Sequence, residues 1–286
     1  MPTFDTPEPI AAVLELGVGD VHLAASDRPD TVVDVRPRDP GRPADVAAAE
    51  QVKVEYAHGV LRVKAPRGWR HYSFRGGRES VEVRIELPAG SSLRGEAALV
   101  ALRSTGRLGD CWYRTGAGDI EIEEAGALRL RSAAGDITVG RAGGACDVST
   151  ASGTVRLGTV DGTLVVKNAN GDTEVDDVRG SVRVNTANGR ITVGRAGATV
   201  AVKTACGDIR LGEVGPGTVT AQTAFGTIDV GVRDGVAAWL DLHTALGRVD
   251  NALDAADRPA PGEETVEIKA RTAYGDVTVL RRSRIS

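Results

Sequence analysis

The chain has 286 residues, a formal net charge of −4, 41% hydrophobic residues, 36 glycines and few aromatics (Phe 3, Trp 3, Tyr 4). That hydrophobic content at so low a net charge excludes a disordered chain, and no apolar run is long enough for a transmembrane helix. With aromatics scarce, the core must be built from Val, Ala, Leu and Ile, which suit thin layers.

Three cysteines, Cys111, Cys146 and Cys206, are an odd number without CxxC spacing, which fits a reducing compartment better than a disulfide framework. The opening Met1-Pro2-Thr3-Phe4-Asp5 has neither a basic start nor an apolar stretch. A cytoplasmic location is therefore expected.

Residues 1–95 are β-rich, with strands expected at 12–16, 21–24, 31–36, 52–56, 60–64 and 80–87. They do not follow the later repeat strictly and are expected to cap one end of it as a less regular sheet continuous with the stack. Within them, 64–78 is irregular and basic. Trp69, Tyr72 and Phe74 alternate there with Arg67, Arg70, Arg75 and Arg78. This loop is the candidate partner-binding segment, for a protein, an anionic membrane surface or, least favoured, nucleic acid, but it is read first as a structural cap. In that first reading its aromatics fill the open end of the core.

From residue 96 to 280 the chain repeats itself. A glycine precedes a short β-type run at Gly118, Gly135, Gly153, Gly171, Gly189, Gly207, Gly226, Gly247 and Gly275, at intervals of 17, 18, 18, 18, 18, 19, 21 and 28. A period near 18 marks a stacked solenoid. Each period divides into two nines, as in Thr154-Val-Arg-Leu-Gly-Thr-Val-Asp-Gly162 followed by Thr163-Leu-Val-Val-Lys-Asn-Ala-Asn-Gly171. Alternation over the first four positions is a strand with one buried face. The glycine is a corner that needs positive φ or close backbone approach.

The expected fold is all-β: a single-stranded β-solenoid of about 18 residues per coil with a β-rich N-terminal cap. The seventh position of every second half-repeat is Ala (Ala133, Ala151, Ala169, Ala187, Ala205, Ala224, Ala245, Ala273), read as a small residue where the core narrows at a bend. The position before it holds Ser132, Thr150, Asn168, Thr186, Thr204, Thr223, Thr244 and Thr272, whose polar groups can bond corner backbone. Cys146 and Cys111 fall in inward columns as small core hydrophobes. The outward third position reads Glu121, Thr138, Arg156, Glu174, Thr192, Arg210, Asp229, with no like charges adjacent. An acidic insertion, 250–264, interrupts the last coil, and 281–286 is a basic tail.

No catalytic or metal-ligating set is readable, and no cofactor is expected. The residue after the corner glycine is Asp in some coils but Arg190 and Arg248 in others, which argues against a calcium roll. His22, His58, His71 and His243 are scattered without metal spacing.

The opening Phe4-Asp-Thr-Pro-Glu-Pro-Ile10, the Gly17-Val-Gly-Asp-Val21 corner, Asp30-Thr-Val-Val-Asp-Val-Arg-Pro37, Ser80-Val-Glu-Val-Arg-Ile-Glu-Leu-Pro-Ala-Gly90 and the Thr-Ala-x-Gly-Asp-Ile corners resemble the actinobacterial branch of the DUF4097 family, candidate adhesins with β-strand repeats. The resemblance covers nearly the whole chain. It implies a bacterial β-solenoid similar to pectin-lyase-like and head-GIN domains, without a recognised catalytic set, and some relatives connect it with cell-envelope stress. No functional residue carries over.

The leading functional reading is a non-enzymatic cytoplasmic scaffold or binding module, linked to the cell envelope or its stress response. A self-polymerising element resembling bactofilins and a degenerate pectate-lyase-like carbohydrate-binding protein are the alternatives. The expected partner is a protein, with self-association and a membrane surface also open. The negative net charge argues against nucleic acid.

Overall fold

The computed structural model describes residues 1–65, 79–253 and 264–282. The chain forms a β-solenoid made of two compact units, Met1–Gly143 and Gly144–Ser286.

The N-terminal unit contains β1 (Thr3–Asp5), β2 (Ala11–Ser26), β3 (Asp30–Pro37), α1 (Pro43–Gln51), β4 (Lys53–Ala57), β5 (Val60–Lys64), β6 (Val81–Pro88), β7 (Ser92–Arg107), β8 (Cys111–Ala117), β9 (Ile120–Ala125), β10 (Leu128–Ala134) and β11 (Ile137–Ala142). Strands β2 and β7 each run round a corner. They pair in parallel from Ala11↔Ser92 to Ala24↔Thr105. The first half of β7 then pairs with β8 and its second half with β9, which in turn pair with β10 and β11.

Parallel coils thus reach back to residue 11. Beyond β2 lie β5 and β6, also parallel to it. Both ladders then finish with antiparallel strands, β4 on β5 and β3 on β6, with β1 on β3.

The helix was not expected from the sequence. Pro43 stands in its first turn, where a missing N–H costs nothing and φ is already helical. Three successive alanines, Ala47 to Ala49, follow. Asp45, only 1% exposed, accepts hydrogen bonds from the Ser80 N–H (3.1 Å) and the Asp39 N–H (3.2 Å), which ties the helix to the adjoining loops.

The C-terminal unit contains β12 (Cys146–Ser152), β13 (Val155–Val160), β14 (Leu164–Asn170), β15 (Thr173–Val178), β16 (Val182–Asn188), β17 (Ile191–Ala196), β18 (Val200–Lys203), β19 (Ile209–Val214), β20 (Gly217–Phe225), β21 (Ile228–Arg233), β22 (Ala237–Leu246), β23 (Val249–Asn251), β24 (Thr265–Tyr274) and β25 (Val277–Arg282). Two parallel ladders run through it, each strand pairing with the one two places on, as in Cys146↔Leu164 and Thr173↔Ile191. The 18-residue period is this register. It stacks aliphatic columns such as Ile191, Ile209 and Ile228, all fully buried.

At the end of the sequence the order changes. β24 pairs with β20 on one side and β22 on the other, and β25 sits likewise between β21 and β23. The last coil in sequence is therefore the penultimate coil in space.

The corner glycines do two things at once. Gly171 has φ +136°, and a Cβ there would stand 2.1 Å from the Gly153 carbonyl oxygen. Neighbouring coils meet backbone to backbone at this corner, in a conformation L-residues avoid.

Candidate functional site

The hydroxyl and amide column points into the corner and is buried: Thr150, Asn168, Thr186, Thr204, Thr223 and Thr272 are at most 7% exposed, and Thr244 is half-buried. Thr223 Oγ1 donates to the Gly207 carbonyl (3.0 Å), Thr272 to Gly226 (3.0 Å) and Thr244 to Gly275 (2.8 Å). Asn168 Nδ2 reaches the carbonyls of Gly153 (3.0 Å) and Gly171 (2.9 Å). Thr150 and Thr204 make longer bonds, 3.3 Å, to Ser152 and Cys206. The glycine carbonyls among these acceptors lie at the corners where the ladder turns, and the side chains bond them there; the Cys206 carbonyl also accepts the Gly189 N–H (2.9 Å).

The alanine column corrects the expectation that it lines a narrowing core. Ala133, Ala151, Ala187, Ala205 and Ala245 are exposed, and Ala169, Ala224 and Ala273 are half-buried. With the sixth position inward, strand alternation sends the seventh outward. The smallness of this column shapes the outer surface of the bend.

Cys111 and Cys146 are buried and Cys206 is exposed. Burial pushes both buried thiols up to about 12, with Asp110 and Asp147 adding smaller like-charge contributions. Two thiols that stay protonated at neutral pH are poor nucleophiles and poor metal ligands. Tyr113, 1% exposed, fits the thin core because its register partner Gly95 leaves it room.

The candidate loop residues Arg67, Trp69, Arg70, Tyr72, Phe74, Arg75 and Arg78 lie outside the described residues, as does most of the acidic insertion.

The arrangement that sequence reasoning missed is an outer groove of about 740 Å³ on the C-terminal unit. Its floor is glycine. Gly194 and Gly212 hold the fifth position of consecutive coils, where a Cβ would stand 2.4 Å from the Asp176 carbonyl oxygen and 2.5 Å from that of Gly194. Without side chains here the surface sinks to bare backbone. One rim is the in-register column Asp177, Arg195, Glu213, with Arg195 Nη2 3.2 Å from Asp177 Oδ2.

Arg179, Arg233 and Arg282 complete the lining. Arg179 reaches Asp161 (2.8 Å) and Arg233 reaches Glu264 (2.6 Å). The lining holds four guanidinium groups and two carboxylates, and two further carboxylates, Asp161 and Glu264, pair with Arg179 and Arg233. The groove is therefore rich in charge of both signs, and Arg282 is its guanidinium without an ion pair among the described residues. Planar guanidinium forks bind carboxylates in two-point contacts. The signal was present: Gly140, Gly158, Gly194, Gly212 and Gly231 recur at a fifth position read only as polar.

A family model for Toastrack DUF4097 matches residues 42–243. The chain belongs to that family. Toastrack is a β-solenoid fold, in agreement with the two ladders. The chain is also similar to solved structures of low identity. A candidate adhesin from Bacteroides fragilis is 11% identical over 98% of this chain and 95% of its own, with a TM-score of 0.34. A candidate adhesin from Parabacteroides merdae is 10% identical over 99% and 95%, with a TM-score of 0.34. A candidate cell adhesion protein from Clostridium sporogenes is 9% identical over 98% of both chains, with a TM-score of 0.22. No curated protein matches the sequence. Among the described residues of this Toastrack chain no helix is long and apolar enough to cross a membrane.

Proposed function

We propose that this Toastrack protein is a non-enzymatic, cytoplasmic binding scaffold, serving the cell envelope or its stress response, whose arginine-lined groove holds a partner segment bearing carboxylates. The observation that carries the reading is the groove: a glycine floor open to an extended chain, rimmed by Arg179, Arg195, Arg233 and Arg282. An acidic peptide laid along it gains charge-assisted hydrogen bonds to forks that Asp177 already orients in the case of Arg195. The free thiols support a reducing compartment, since exposed Cys206 would be open to oxidation elsewhere. The raised buried thiols support the absence of nucleophilic catalysis.

The test is fluorescence anisotropy with a labelled oligo-glutamate peptide and the full chain. Saturable binding is expected, weakened by high salt and reduced at least about tenfold by Arg195→Ser with Arg282→Ser, the equivalent of about 1.4 kcal/mol. Absence of binding, or equal binding of an oligo-lysine peptide, would overturn the reading.

A further inference from the structure

Strands β22 and β23 are the last members of their ladders. Among the described residues β22 pairs only with β24 and β23 only with β25, so each presents one unpaired backbone edge. The inward row of β22 is set by its register partners. Ala238, Leu240, Leu242 and Thr244 stand opposite Val266, Ile268, Ala270 and Thr272. Those partners are at most 4% exposed, whereas the β22 row is only half-buried. Around this open coil gather Trp239 (61% exposed), Leu246 (62%) and Val249 (47%), with Phe225 and Tyr274 stacked beside it at 4.9 Å.

Native sheets blunt such edges with lysine, proline, bulges or short strands. β22 has ten residues, Ala-Ala-Trp-Leu-Asp-Leu-His-Thr-Ala-Leu, without lysine, proline or a bulge, and its one charged side chain, Asp241, is paired with Arg271 of β24 at 2.9 Å.

We propose that this edge is a dimer interface, with β22 of one protomer pairing antiparallel with β22 of a second copy about a two-fold axis at Leu242. The strand is self-complementary in that register. On the inward row Leu242 meets its own copy and Leu240 meets Thr244. On the outward row Asp241 faces His243, and Trp239 faces Ala245. Each bulky side chain opposes a small one or an apolar mate, and the single carboxylate opposes the imidazole. Cross-strand pairs of these kinds are the favourable ones, and a two-fold contact must match a surface to itself. The axis closes the assembly at two, which distinguishes it from a filament that adds coils at both ends. The interface does not involve the groove.

Sedimentation equilibrium of the full chain over a wide concentration range tests this. A species of twice 29.7 kDa is expected. Leu242→Asp places two carboxylates against each other at the axis and should leave only monomer. His243→Glu guards against a folding artefact. His243 is exposed and its register partner is Arg271, so its own coil gains an opposite charge while the dimer gains two facing carboxylate pairs. Circular dichroism should stay native and dissociation should strengthen at least tenfold. Adding Asp241→Lys restores opposite signs and should restore the dimer. A wild-type chain that stays monomeric throughout, or association untouched by both His243→Glu and Leu242→Asp, would overturn the proposal. Oligo-glutamate binding should be unchanged in His243→Glu, so the interface and the groove can fail separately.

Discussion

Replacing Gly171 by Ala tests the corner geometry on which the coil stack depends. At φ +136° an L-residue lies in a region open essentially to glycine, at a cost of about 1–3 kcal/mol. The new Cβ would stand 2.1 Å from the Gly153 oxygen and 2.7 Å from its carbonyl carbon, so the two coils must part locally. Parting them weakens the two bonds from Asn168 Nδ2 to the Gly153 and Gly171 carbonyls, each with a net contribution of about 1 kcal/mol. The expected loss is about 3–5 kcal/mol.

Gly215→Ala is the control. It lies outside the left-handed region, and its nearest neighbour would be the Gly197 oxygen at 3.5 Å, an ordinary contact. Its effect should stay within about 0.5 kcal/mol. Urea unfolding followed by far-ultraviolet circular dichroism compares the midpoints. If Gly171→Ala matches wild type, or both variants fall equally, backbone-to-backbone packing is not what selects glycine.

Two further outcomes follow from the columns. Thr223→Val removes a donor to the Gly207 carbonyl and should cost about 1 kcal/mol, whereas Thr186 Oγ1 is buried without a hydrogen-bond partner, so Thr186→Val should leave the thermal midpoint unchanged or raise it. A thiol reagent at pH 8 should label Cys206 alone until the chain is denatured. The buried thiols also predict a pH dependence. Their folded value, about 12, lies above the ordinary 9.0. The stability they contribute is intact below about pH 9 and lost as pH rises toward 12, because the unfolded chain releases those protons first. Cys111→Ala with Cys146→Ala should flatten that alkaline decline in a urea midpoint series.

Much of the fold was legible because the repeat states its register in the sequence. An 18-residue step between corner glycines is the step between paired residues, and the alternation of Ile191-Thr-Val193 tells inside from outside. The alanine column was misread because two outward positions follow Thr or Asn at each bend, so column composition alone does not show which side is tight. The exchange of the last two coils was not legible. Coils β20–β21, β22–β23 and β24–β25 share one pattern, and only long-range pairing decides which of them becomes neighbours. Helix α1 escaped because nine residues with four alanines form a weak periodic signal beside strands. The groove escaped because it is made by an absent side chain. Glycine at the fifth position looks like any polar slot until Gly194 and Gly212 are seen stacked against neighbouring carbonyls.

The central claim is that the groove on the C-terminal unit is where this scaffold holds its partner. Hydrogen exchange of the full chain with and without saturating oligo-glutamate tests it most directly. Slowed exchange confined to peptides spanning the groove-lining strands Thr173–Val178, Ile191–Ala196, Ile209–Val214, Ile228–Arg233 and Val277–Arg282, and abolished by Arg195→Ser with Arg282→Ser, is the predicted result. Protection at Ala237–Leu246 instead, or no protection at saturation, would contradict it.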